Sequence, residues 1–193
     1  YIDWAVRFKA NMIGFELEDK FSYPSNPEIG APGAFTPAEL QEIVDYGLER
    51  HVQVVPVVQS PAHMAYVLKH PRFAHLKADG NNYQSDLCQE DTYKLIFQMY
   101  DDLIKATRGV DYFFVSTDEV YYAGIGKTCA LPYNPENRSK AWVDFAIRAH
   151  DHLAKHTRRM LAWIEYPVLD KDMERIPSDV IDGVVGEPGF AAI

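Results

Sequence analysis

The residues best suited to chemistry are an adjacent pair of acids, Asp118 and Glu119, placed directly after the apolar run Tyr112-Phe-Phe-Val115 and the polar step Ser116-Thr117. Consecutive residues at a strand end point to opposite faces, so two carboxylates that serve one ligand need a bend or bulge at that point. The following Val120-Tyr121-Tyr122 makes the neighbourhood apolar and aromatic. Such a setting raises a carboxyl pKa and can keep an acid protonated near neutral pH, as a general acid requires. The alternative is a solvated acid pair that merely opens a loop. Other reactive side chains stand where other apolar runs end: Asp19, His63, the pair Trp163 and Glu165, and Glu187. Tyr121 and Tyr122 offer aromatic faces for stacking on a ligand, and Glu165 offers a hydrogen-bonding carboxylate.

The elements that must position these groups alternate between short apolar runs and longer amphipathic segments. Met12–Leu17, Val52–Val58, Tyr112–Val115, Met160–Ile164 and Val180–Val185 read as strands. Thr36 is an N-cap, Pro37 takes the first helical position and Glu39 completes a capping box. Leu40, Ile43, Val44 and Leu48 then share one helical face. Further helices are expected over about 91–107, with Leu95, Ile96, Met99, Leu103 and Ile104 buried, and over about 138–156, with Trp142, Ala146, Ala149 and Leu153 buried. Strand-then-helix units whose strands are apolar on both faces imply parallel strands covered by helices. An open doubly wound sheet and a (β/α)₈ barrel both satisfy that pattern. No glycine-rich phosphate-binding motif follows any strand, which removes the main support for the nucleotide-binding open sheet. Candidate catalytic groups at the ends of several strands are what a barrel provides. The expectation is an α/β fold: a partial (β/α)₈ barrel holding about strands two to six, with residues 1–193 forming a single domain. The Pro- and Gly-rich stretches 22–35 and 128–137 are either walls of a substrate cleft or solvated insertions.

Composition bounds the partners. The 193 residues carry 19 Lys and Arg against 28 Asp and Glu, a net charge of −9. That balance opposes a nucleic-acid partner, which needs a basic footprint. No apolar run approaches the roughly 20 residues of a membrane-spanning helix. Cys88 and Cys129 fit no metal-binding spacing and are expected as two buried thiols, which leaves the redox compartment open. The chain starts at Tyr1 without a leader, so it reads as a piece of something longer.

Three segments, taken in order, resemble glycoside hydrolase family 20, the β-N-acetylhexosaminidases: Gly33-Ala-Phe-Thr-Pro-Ala-Glu-Leu-Gln-Glu-Ile-Val-Asp-Tyr-Gly47, Val54-Val-Pro-Val-Val-Gln-Ser-Pro-Ala-His63 and Phe113-Phe-Val-Ser-Thr-Asp-Glu-Val120. Lys9-Ala-Asn-Met-Ile13 is similar to the entry of the family's second barrel strand, and Trp163-Ile-Glu165 to its Trp-x-Glu. The resemblance implies an exo-acting retaining glycosidase that releases terminal β-linked GlcNAc or GalNAc with no enzyme nucleophile, because the substrate's own acetamido oxygen attacks the anomeric carbon. It implies that Asp118 orients the acetamido group and stabilises the developing positive charge. Glu119 would protonate the leaving oxygen and then activate water. Asp19 and His63 would form a polar network behind the acid, and Trp163 would wall the acetamide pocket. It implies neither cofactor nor metal, a carbohydrate substrate, the rest of the barrel as a partner from the parent chain, and a secreted, periplasmic or lysosome-like compartment.

The sequence departs from that pattern in three places. Ser116-Thr117 replaces a Gly-Gly step before the acid pair and adds bulk near the scissile bond. Val55-Pro-Val-Val-Gln59 lacks two acids of the family's third strand, and Ala62 replaces the glycine before the histidine. Three rival readings stay open: a non-catalytic carbohydrate-binding barrel, a metal-dependent barrel isomerase or aldolase built on Glu16, Glu18, His63, Asp118 and Glu119, and a conventional retaining glycosidase. The last would use Glu119 as acid and Glu165 or Glu187 as nucleophile, with carboxyl groups about 5–5.5 Å apart.

Overall fold

A computed structural model describes residues 1–183 of the chain. The end of the fifth expected strand, Val184 and Val185, and the carboxylate of Glu187 lie outside the described residues.

The chain runs α1 (Ile2–Arg7), β1 (Met12–Glu16), α2 (Pro37–Leu48), β2 (Gln53–Gln59), α3 (Ala65–Leu68), α4 (Glu90–Ala106), β3 (Tyr112–Ser116), α5 (Lys140–Ala154), β4 (Arg159–Ala162), α6 (Asp170–Met173) and β5 (Ile181–Asp182). The strands form one parallel sheet in the order β1-β2-β3-β4-β5. Sequential order decides between the two architectures left open by the sequence. A doubly wound sheet must reverse direction at a switch point, whereas a barrel adds each new strand on the same side. The fold is therefore part of an α/β barrel.

The two faces of the sheet are chemically distinct. One face packs on the helices: Phe113 and Val115 of β3 and Met160 and Ala162 of β4 join a core with Met99, Tyr100 and Leu103 of α4 and Trp142, Phe145 and Ala149 of α5, all nearly inaccessible to solvent. The other face follows the period of two that a pleated strand imposes. Gly14 and Glu16, Val57 and Gln59, Phe114 and Ser116, then Trp163 and Glu165 beyond β4, line a cavity of about 540 Å³ inside the curve of the sheet. Pro56 has no N–H to give to a sheet, and it falls where β2 pairs with β1 alone, since pairing with β3 begins at Val57.

The helical pattern is realised closely. Thr36 accepts from the Glu39 backbone N–H and Glu39 reaches back to the Thr36 N–H, closing the capping box in front of Pro37. All five residues expected as the buried stripe of α4, and all four of α5, are buried. On α2, Leu40 and Val44 are buried, while Ile43 and Leu48 are half-buried. The C-terminal end of α4 is closed by Arg158, a buried cation that donates to the carbonyls of Ile104, Thr107 and Val110. Burial pushes its guanidinium pKa down.

One expectation is corrected, and one alternative that the sequence leaves open is decided. Cys88 and Cys129 are not free thiols: they form a disulfide with a Cα–Cα distance of 5.0 Å across 41 residues. The two cysteines have no motif spacing because it is the tertiary fold, and not the local sequence, that brings the entry of α4 against the loop following β3. Residues 22–35 are not a solvated insertion either. Tyr23 and Ile29 are buried, and Ser25 donates through its backbone N–H (2.8 Å) and its hydroxyl (2.5 Å) to Asp102 of α4.

Candidate active site

The site forms where β1, β2, β3 and β4 end, because parallel strands deliver their final side chains to one rim. Asp118 and Glu119 do converge, and the bend that this requires is visible in the backbone. Glu119 has φ 49° and His63 has φ 53°, in the left-handed region that a non-glycine residue adopts only at a cost. Glu18, after β1, shares the feature with φ 44°. Such strained backbone is held in place by surrounding contacts and concentrates at functional sites.

His63 is the hub. Its Nε2 lies 3.3 Å from Glu119 Oε2 and 3.7 Å from Asp118 Oδ2. The Tyr83 hydroxyl is 3.2 Å from the same nitrogen and donates at 2.9 Å to the Glu119 carbonyl. Tyr121 donates to Glu119 Oε1 at 2.6 Å, and its ring stacks parallel to that of Tyr83 with centroids 6.5 Å apart. Contact with carboxylates makes each phenol harder to ionise. The Tyr121 pKa is pushed up to about 12, first by its hydrogen bond to Glu119. The Tyr83 pKa is pushed up to about 12 by burial and then by the Glu119 charge. Both therefore stay neutral donors throughout the physiological range.

Glu165 joins the cluster from the β4 end. Its Oε1 accepts the Glu119 backbone N–H at 2.8 Å, which helps to fix the strained turn. Burial raises its pKa, opposed by that N–H and reinforced by the charge of Asp118 and a hydrogen bond shared with it. Its carboxylate is thus engaged by the Glu119 turn and by Asp118.

Trp163 lines the cavity beside Phe114, with ring centroids 4.9 Å apart. Gly183, just past β5, makes that position possible: a Cβ there would approach the indole to 2.8 Å. Of the two bulkier residues before the dyad, only Ser116 lines the cavity. The Thr117 hydroxyl instead donates to the Trp163 carbonyl at 2.6 Å and ties the ends of β3 and β4 together.

Asp19 takes a different place from the expected one. Its carboxylate pairs with Lys20 and, at 3.3 Å, with Lys69, and the bond to Lys20 is the main cause of its lowered pKa. The neighbouring carboxyl, Glu18, has a raised pKa, first through burial and then through the charges of Glu16 and Asp19. Two residues at the site, Tyr83 and Gln59, carry little signal in the sequence. The only signal for Tyr83 is an aromatic residue inside the turn-rich segment 79–85. Gln59 donates to Glu16 at 2.9 Å on the cavity wall, and its buried Oε1 has no partner among the described residues.

His63, Asp118 and Glu119 present ligand atoms within 4.8 Å of one another, close enough to share a cation. Without one, the same set is two carboxyl groups around a histidine, with two phenol donors and a cavity beside them. That arrangement suits proton transfer to a leaving oxygen next to a group that stabilises positive charge.

Comparison with known proteins gives a consistent result. Residues 14–181 match the family model described as the glycosyl hydrolase family 20 catalytic domain. The chain is similar to Hexosaminidase D of Bos taurus, 31% identical over 181 residues, covering 90% of this chain and 50% of that protein. It is also similar to Hexosaminidase D of Homo sapiens, 33% identical over 121 residues, which is 61% of this chain and 25% of the human protein. The chain thus spans about half or less of these relatives. Among solved structures, the family 20 exo-β-N-acetylglucosaminidase of Vibrio harveyi, in complex with N-acetylglucosamine, superposes with a TM-score of 0.74 at 17% identity, over 93% of this chain and 34% of that one. No helix among the described residues is long and apolar enough to cross a membrane.

Proposed function

Because the chain belongs to glycosyl hydrolase family 20, we propose that residues 1–193 form one unit of a catalytic barrel that removes terminal β-linked N-acetylhexosamine from glycans. The reaction is retaining and substrate-assisted. Asp118 orients the 2-acetamido group so that its carbonyl oxygen attacks the anomeric carbon as the glycosidic bond breaks, and its charge stabilises the cyclic cation formed. Glu119 gives its proton to the departing oxygen, then takes a proton from the water that opens the intermediate. His63 and Tyr121 hold the Glu119 carboxyl in place, and Trp163 walls the acetamide side.

The observation that carries this reading is the convergence of Asp118 and Glu119 on one cavity rim through a left-handed turn at Glu119. A solvated acid pair would have no reason to share one histidine and two tyrosine hydroxyls. Hydrolysis of a chromogenic aryl β-N-acetylglucosaminide by the full-length protein is the test, with its Glu119→Gln variant and with a chelator. Turnover that resists the chelator and falls by about 10²–10⁴ in the variant is expected, the range usual for loss of a general acid. Loss of turnover in the chelator would instead favour a metal-dependent reaction through the His63–Asp118–Glu119 set. Absence of turnover on both the gluco- and the galacto-configured substrate would leave the sugar-binding barrel as the better reading.

A further inference from the structure

A second cluster of ligating side chains lies away from the rim, on the helices that cover β3 and β4. His152, in the last turn of α5, and His156, just beyond it, are four residues apart and lie on one face, the spacing by which two helical histidines share a metal. Asp101 of α4 faces both. Its Oδ1 is 2.8 Å from His152 Nε2 and 3.3 Å from His156 Nε2. All three ligand atoms lie within 4.8 Å of one another.

We propose that Asp101, His152 and His156 bind one first-row divalent cation of the zinc type, clamping α4 to α5 outside the active site. Two imidazole nitrogens and one carboxylate oxygen suit Zn²⁺, with water as the fourth ligand. Metal–ligand bonds of about 2.0–2.2 Å in a tetrahedral site place ligand atoms roughly 3.3–3.5 Å apart. The present separations therefore need only small side-chain adjustments. Each imidazole must offer the Nε2 lone pair, so its remaining proton sits on Nδ1. The site is also preorganised. The His152 ring is stacked on Phe97, centroids 4.4 Å apart and planes within 10°, which fixes the direction of its Nε2. Phe97 and Asp101 are themselves one helical turn apart on α4. His156 is the more open member, with 38% of its side chain exposed, and leaves a way in for the ion.

The test uses the full-length protein, with Zn²⁺ followed by calorimetry and Co²⁺ by the visible absorption of a tetrahedral site. The variants are His156→Gln, Asp101→Asn and Glu119→Gln. The parent and Glu119→Gln are expected to bind one more ion than His156→Gln and Asp101→Asn, or to bind it at least tenfold more tightly. Zn²⁺ should also raise the melting temperature of the parent but not that of His156→Gln. Because His156 is exposed, that variant retains the fold even if Asp101→Asn does not. Equal binding in the parent and His156→Gln would overturn the proposal. So would binding lost only in Glu119→Gln, which would place the ion at the active-site histidine.

Discussion

At the scale of single residues, the site is a competition among carboxylates that only geometry resolves. Asp118, Glu119 and Glu165 share one rim with His63, and the backbone N–H of Glu119 is given to Glu165. Burial and the Asp118 charge raise the Glu165 pKa above its ordinary value of 4.5. Above that ordinary value the unfolded chain has already lost the proton that the folded chain keeps, so stability falls as pH rises through the window between the two pKa values. Glu165→Gln is therefore expected to be more stable than the parent above that window and equal to it below pH 4, measured as melting temperature against pH. A Glu165 that gained stability from its ionised form would give the opposite trend. Of the site residues, Asp118, Glu119, His63, Trp163 and Glu165 were legible as strand-end residues. Tyr83 was not, because nothing in a turn-rich loop says which strand end it will reach.

At the scale of elements, the loop from Asp118 to Asn137 carries the proposed acid, Glu119, and the fold anchors it at its start and in its middle. Thr117 ties its start to the end of β4. The disulfide at Cys129 and the hydrogen bond from Thr128 to the buried Asp86 tie its middle to the entry of α4. Closing 41 residues of sequence by a disulfide is worth about 4 kcal/mol in the chain-entropy account. Replacing both cysteines by alanine should cost about that much in denaturant unfolding, and dithiothreitol should lower the melting temperature of the parent but not of the variant. An unchanged midpoint in both experiments would mean that Asp86 and its partners hold the loop without help. The capping box of α2 and the buried stripes of α4 and α5 were readable in the sequence because each depends on residues three or four apart. The disulfide was not, since its partners meet only after β3 has been laid beside β2.

At the scale of the whole molecule, the described residues leave the outer edge of β1 without a strand partner. Tyr1, Trp4 and Phe8 are exposed beside it, 98%, 66% and 76% accessible. An unpaired strand edge next to exposed aromatic side chains is a template for association. A fragment limited to residues 1–193 is expected to self-associate with rising concentration in light scattering, while the full-length protein does not. A monodisperse monomeric fragment would show that α1 and the twist of β1 protect the edge.

The sequence by itself determined the elements, the parallel character of the sheet and the place of the adjacent acids at a strand end. Each depends on local periodicity, on capping or on which residue ends an apolar run. The tertiary structure decided what depends on strand order and backbone direction: the choice of barrel over open sheet, the turn that brings Glu119 beside Asp118, and the partners of each charge. Asp19 shows the division most clearly. Its position after β1 was visible in the sequence, but a left-handed residue at Glu18 turns the chain there and leaves Asp19 with Lys20 and Lys69. A turn of one residue changes which partners a carboxylate meets, and no spacing rule records that turn.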